Sequence, residues 1–176
     1  MTMDEPVNSN LSGFELIARN IFETSQYSGG KLKKNRFYPN YKRESRSFPG
    51  RHVSRLSVQR ICHAGLGKAT YWALNTKSPS QTLVGFEFAS ASAALSQGFL
   101  LEPYASDRNP FHAHIVIKEL DLPYPQPIEH MDSIMNPAVR HRIDKMANSF
   151  LFYRIEDGIE SLQEVYSSSC LQCLAR

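Results

Sequence analysis

The stretch His112-Ala-His-Ile-Val-Ile-Lys-Glu-Leu-Asp-Leu122 alternates in polarity through Ile115, Ile117 and Glu119. Side chains of an extended chain point to opposite faces in turn, so a period of two argues for a strand with one face buried. Leu122-Pro-Tyr-Pro-Gln-Pro127 blocks its continuation, because each proline removes a backbone donor. This strand anchors the fold as one that contains a sheet.

Outward from it, Thr82–Phe88 (TLVGFEF) is rich in β-formers and reads as a second strand. Ala69–Asn75 (ATYWALN) is a short apolar run and reads as a third. Ser149–Ile155 (SFLFYRI) reads as a buried strand closed by the turn Glu156-Asp-Gly158, and Val53–Cys62 fits either helix or strand.

Helical signals surround these strands. Ser12-Gly-Phe-Glu15 has capping-box spacing, and Leu16, Ile17, Ile21 and Phe22 follow at helical intervals, which predicts a helix over residues 12–25. Ala89–Phe99 is made of small residues suited to a helix packed tightly on a sheet. Asn136–Pro137 supplies an N-cap and a first-turn proline, and Val139, Ile143, Met146 and Phe150 then share one face.

This order predicts an α+β fold: a single domain over residues 1–176 with a mixed or mostly antiparallel sheet and flanking helices. Residues 29–52 read as a basic loop or arm, punctuated by Gly29, Gly30, Pro39, Pro49 and Gly50, and residues 167–176 as a loosely ordered tail.

The 176 residues, 41% of them hydrophobic and 21% charged, suit one globular domain and exclude a disordered chain. No apolar run approaches the ~20 residues that span a bilayer. The start, MTMDEPVNSN, has two acids and neither a basic nor an apolar region, so no secretory signal peptide is expected. The expected location is the cytoplasm, or a host cell reached without a cleavable signal. Three cysteines are an odd number for a disulfide framework. Cys170-Leu-Gln-Cys173 lacks the second pair that would complete a zinc site, and Cys62 reads as a small core residue. His112 and His114 share a strand face, with His130 or Asp132 as conceivable third ligands, but no fixed third ligand is evident and no metal is expected.

The net charge of +3 is uneven. Residues 31–60 hold ten Lys or Arg and one acid, Glu44, so this segment carries +9 and the rest of the chain −6. Lys31, Lys33, Lys34, Arg36, Lys42 and Arg43 are interleaved with aromatics that include Tyr38 and Tyr41. Bases neutralise phosphates and aromatic faces stack on exposed nucleobases, so one reading is a non-enzymatic module that binds nucleic acid or an acidic protein. The other is a solvated strip lying against the protein's own acids.

Arg60, Tyr71 and Glu87 supply three groups that NAD chemistry requires. A guanidinium holds a pyrophosphate, a ring stacks on nicotinamide, and a carboxylate offsets positive charge developing at the ribose. The run from Arg60 through ATYWALNTKSPSQTLVGFE resembles the arginine–tyrosine–glutamate region of RES-domain toxins, relatives of the ADP-ribosyltransferases. Ile117–Pro123 (IKELDLP) resembles a strand that follows it in that family. A second overlay places FEFASASAALSQGF on the paired-serine segment of other ADP-ribosyltransferases, with Ser90 and Ser92 as the serines and Arg55 as the upstream arginine.

The chain also departs from these patterns. Val58 and Gln59 stand where glycines precede the family's arginine, and the interval from Tyr71 to Glu87 is longer. Glu156, Glu160 and Glu164 do not reproduce the downstream acidic pair. The resemblance implies an ADP-ribosyltransferase-like fold and an NAD-cleaving toxin or effector, of ADP-ribosyltransferase or NAD glycohydrolase type. In it Glu87 and Tyr71 are catalytic, Arg60, Arg55, Ser90 and Ser92 hold the cofactor, and NAD is the substrate.

Overall fold

A computed structural model describes residues 6–23 and 25–157. Six strands form one sheet: β1 (Leu16–Phe22), β4 (Arg55–Arg60), β5 (Leu83–Ser90), β6 (Leu100–Pro103), β7 (His112–Val116) and β8 (Leu151–Arg154). Their order is β6-β7-β4-β1-β5-β8, and every pairing between them is antiparallel. A separate two-stranded ribbon joins β2 (Tyr27–Ser28) to β3 (Lys31–Leu32). The helices are α1 (Ile61–Thr76), the single turn α2 (Ser92–Leu95), α3 (Ile128–Ile134) and α4 (Pro137–Asn148). The chain is an α+β domain, as its pattern predicts. Among the described residues no helix is long and apolar enough to cross a membrane.

The predicted helix over 12–25 is instead the central strand β1. Ser12 does begin a turn, its carbonyl accepting from the Glu15 amide at 3.0 Å. The Glu15 carboxylate, however, is taken by Arg60. A strand buried on both faces carries apolar residues at both parities, which erases the period of two. Leu16 and Ala18 point into one core with Ile61, Ala69, Phe86 and Phe88. Ile17 points into the other with Val58, Ile115, Met131 and Ile143.

ATYWALN lies within helix α1, not in a strand, because Ala64, Leu66, Ala69 and Ala73 form its buried face. Gly65, at φ +71°, breaks this helix near its start in a conformation that side-chain-bearing residues rarely adopt. The strand at His112 ends at Val116, where Lys118–Leu120 turns into a 3₁₀ helix and buries Leu120. The helix predicted over Ala89–Phe99 shrinks to Ser92–Leu95.

Two elements follow their sequence signals closely. Asn136 Oδ1 accepts from the Ala138 and Val139 amides at 2.9 and 3.1 Å, capping α4, whose Val139, Ile143 and Met146 are buried together with Phe150. In β5, Gly85 permits the close approach of β8: a Cβ there would lie 2.0 Å from the Tyr153 carbonyl oxygen.

Residues 29–52 are not a free arm along their length. Phe37 is 0% exposed in the core beside Phe150. Tyr38 donates to Asp144 at 2.9 Å and Tyr41 to Asp132 at 3.0 Å. The predicted tail, with Cys170, Cys173, Glu160 and Glu164, lies outside the described residues.

Candidate functional site

The seam between β1 and β4 is short. It holds two residue pairs, Ile17 with Arg60 and Ala18 with Gln59. The ladder between β1 and β5 runs through seven pairs, and that between β4 and β7 through five. Beyond Ala18 the two strands part, and side chains take over the backbone's hydrogen bonds. Arg19 donates to the Arg36 carbonyl at 3.0 Å and, at 3.4 Å, to the Ser57 carbonyl across the gap. Gln59 Nε2 donates to Asn20 Oδ1 at 2.8 Å and to the Ala69 carbonyl at 2.9 Å.

The parting opens a cleft of about 540 Å³, within the range of small-molecule sites. β1 contributes Arg19 and Asn20; β4 contributes Arg55, Ser57 and Gln59. Lys77 enters from the end of α1, and Arg108, Asn109 and His112 from the β6–β7 connection and the start of β7. Tyr38 and Asn40 form the wall given by the basic segment. Four cations line the cleft, and no Asp or Glu is among the described lining residues.

These cations are unequally satisfied. Arg55 is held by Asp121 at 2.9 Å and lies 3.6 Å from Glu102, with its guanidinium over the Phe48 ring. Burial pushes the Asp121 carboxyl up, but the hydrogen bonds from Arg55 and Arg51 outweigh it and hold the group below its ordinary value. Lys77 and Arg108 have no ion pair among the described residues. Arg19 is pushed down to about 10, chiefly by burial, with Glu87 opposing the shift and Arg36 adding to it. Arg19 Nε, Arg55 Nε and Gln59 Oε1 are buried with no hydrogen-bond partner among the described residues. Uncompensated positive charge in a concave, half-dry cleft raises the local concentration of anions.

The residues singled out in the sequence are distributed differently. Arg60 and Glu87 share a sheet face, since Arg60 lies opposite Ile17 and Glu87 opposite Arg19, two positions along β1. Each is already engaged. Arg60, 1% exposed, grips Glu15 at 2.6 and 2.9 Å and the Ser9 carbonyl at 2.6 Å. Glu87, 0% exposed, pairs with Arg36 at 2.7 Å. Burial raises the Glu87 carboxyl, and the hydrogen bond and charge of Arg36, with the charge of Arg19, partly offset this.

Tyr71 is 48% exposed on α1, the helix on the opposite face, with its ring against Trp72. The structure therefore does not bring Arg60, Tyr71 and Glu87 to one cleft, and none of them lines the one described. Ser90 and Ser92 are exposed at the end of β5, their hydroxyls bonded to each other at 2.5 Å. Of the six residues, Arg55 alone lines the cleft.

Within the basic segment, Arg36 is turned inward onto Glu87 and Lys42 pairs with Asp132 at 3.1 Å. Lys31, Lys34 and Arg43 are exposed; Lys33 is half-buried, its carbonyl accepting from Arg36.

Arg19, Asn20, Lys77 and Arg108 were not identified from the sequence. A signal for two of them was present: in Leu16-Ile-Ala-Arg-Asn-Ile-Phe22, Arg19 and Asn20 interrupt an apolar strand, where a charge needs a reason. No protein-family model, curated protein or solved structure matches this chain.

Proposed function

We propose that this protein binds a phosphate-bearing small molecule in the cleft between β1 and β4. The observation that carries the reading is the lining itself: Arg19, Lys77 and Arg108 converge with no carboxylate among the described lining residues. Guanidinium forks suit phosphate oxygens through paired, charge-assisted hydrogen bonds. NAD is the ligand implied by the resemblance to ADP-ribosyltransferases and is the first probe. In an NAD-cleaving toxin or effector the ribose carboxylate implied by the resemblance is Glu87. It sits across the ladder from Arg19, and its pair with Arg36 must open before it reaches a ligand.

Isothermal titration with NAD, with free nicotinamide measured in the same samples, tests both levels. Saturable binding that weakens with salt supports the cleft, and nicotinamide release supports the enzymatic reading. No heat with NAD, ADP-ribose or pyrophosphate at low salt contradicts both.

A second reading rests on the exposed bases Lys31, Lys34 and Arg43. Here the basic segment itself meets nucleic acid or an acidic protein. The Tyr38 and Tyr41 rings are half-buried and their hydroxyls are held by acids, so this contact is electrostatic, with little stacking.

A further inference from the structure

Beside the cationic cleft lies a cluster of rings that the anion reading does not use. His112, which lines the cleft, and His114 stand on one face of β7 with ring centroids 4.6 Å apart. Tyr104 packs against both, at 5.6 Å from His112 and 4.6 Å from His114, and Phe48 backs the group at 5.3 Å from Tyr104. Tyr104 remains 39% exposed. Its backbone amide donates to the His112 carbonyl at 2.9 Å, which fixes the two rings side by side across the β6–β7 pair. The connection that follows Tyr104 carries Arg108 into the cleft. A cationic site and the partly exposed Tyr104 ring, with His112 set edge-on to it, thus adjoin, supported by one stretch of backbone.

Building on the anion reading above, we infer that the ligand is a nucleotide: its phosphates meet Arg19, Lys77 and Arg108, and its base stacks on the exposed Tyr104 ring with His112 edge-on beside it. Base-on-ring stacking tolerates different bases, because every base has a π face. The surface suits a neutral ring system. Burial pushes His112 down to about 4 and His114 to about 3, so neither imidazole is charged at neutral pH. The rings are also pre-positioned by one another, so little side-chain freedom is lost on binding.

The test compares ADP with inorganic pyrophosphate on the whole chain, by calorimetry and by proton NMR of the adenine H2 and H8 signals. Stacking predicts ADP binding about tenfold to a hundredfold tighter than pyrophosphate. It also predicts upfield ring-current shifts of both signals. Tyr104→Ala and His112→Ala should each reduce the ADP-to-pyrophosphate ratio several-fold, and His112→Phe should restore it. Circular dichroism confirms that each variant is folded, and the comparison of the two ligands on the unaltered protein stands without any variant. Equal binding of ADP and pyrophosphate, with unshifted adenine signals, overturns the stacking surface and leaves the anion cleft standing. Binding of neither ligand overturns both.

Discussion

The two ends of the β1–β4 seam treat an arginine in opposite ways. At the closed end Arg60 meets a matched carboxylate, Glu15, in a fork of two bonds, and its remaining donors reach the Val7 and Ser9 carbonyls. At the open end Arg19 finds carbonyl oxygens and the Phe37 ring, while the carboxylate across from it, Glu87, is paired with Arg36. Arg60 is buried and neutralised by its own carboxylate, whereas Arg19 is half-buried at the cleft wall and has no carboxylate of its own. A buried, matched pair ties the fold together; a half-buried charge without its own counterion is poised to take one from solution. An arginine in a sheet thus reads as structural or functional by the partner it has.

The largest expected effect comes from breaking the closed end. Glu15→Gln leaves Arg60 as an uncompensated buried charge and should destabilise by about 3–5 kcal/mol in chemical denaturation. Arg19→Met should cost less than ~1 kcal/mol, because it removes a half-buried charge that has no carboxylate of its own. Equal losses from the two variants would erase the distinction between the ends.

A pH effect is expected at the open side. The His112 and His114 imidazoles are held down to about 4 and about 3 chiefly by burial, and for His114 also by His112 and Arg55. The unfolded chain takes up these protons near pH ~6.5 and the folded chain does not. The contribution is complete above pH ~6.5 and is lost as pH falls from there toward ~4, with each imidazole adding up to ~1.4 kcal/mol per pH unit. Tyr104, Phe48 and Arg55 face the pair, and Glu102 stands opposite His114 on β6. Asp121, held below its ordinary value, adds its own loss only at lower pH. His114→Phe should flatten the slope by about half; an unchanged slope would place the titrating groups elsewhere.

Much of the fold was legible because local chemistry decided it. The Asn136–Pro137 cap and the Thr82–Phe88 run formed the elements they signalled. β1 departs from the helix its pattern predicts because a central strand is apolar on both faces, and Leu16, Ile17 and Ile21 also fit a helical stripe. ATYWALN was misread because two small alanines, Ala69 and Ala73, carry the buried face of α1 while Tyr71 and Leu74 point outward. The candidate site was largely illegible. It exists because two strands stop pairing, which is a long-range event, and it gathers Arg19, Lys77 and Arg108 from three separate elements. The charge asymmetry of residues 31–60 was legible, but not that Phe37 would anchor the segment in the core.

The smallest effect concerns that segment. Lys31→Ala with Lys34→Ala removes two exposed charges and should change stability by no more than ~0.5 kcal/mol. If the segment meets nucleic acid, the same pair should lower the slope of log affinity against log salt by about 1.4 to 1.8. An unchanged slope removes those lysines from any such contact.

The contrast between the two ends rests most directly on pyrophosphate binding by the unaltered chain and by Arg19→Gln, measured by calorimetry at low salt. One saturable site is expected on the unaltered chain, weakened by added salt, with a loss of tenfold or more in the Arg19→Gln variant while its fold is retained. Binding that is absent from the unaltered chain, or equally strong in both proteins, would contradict it.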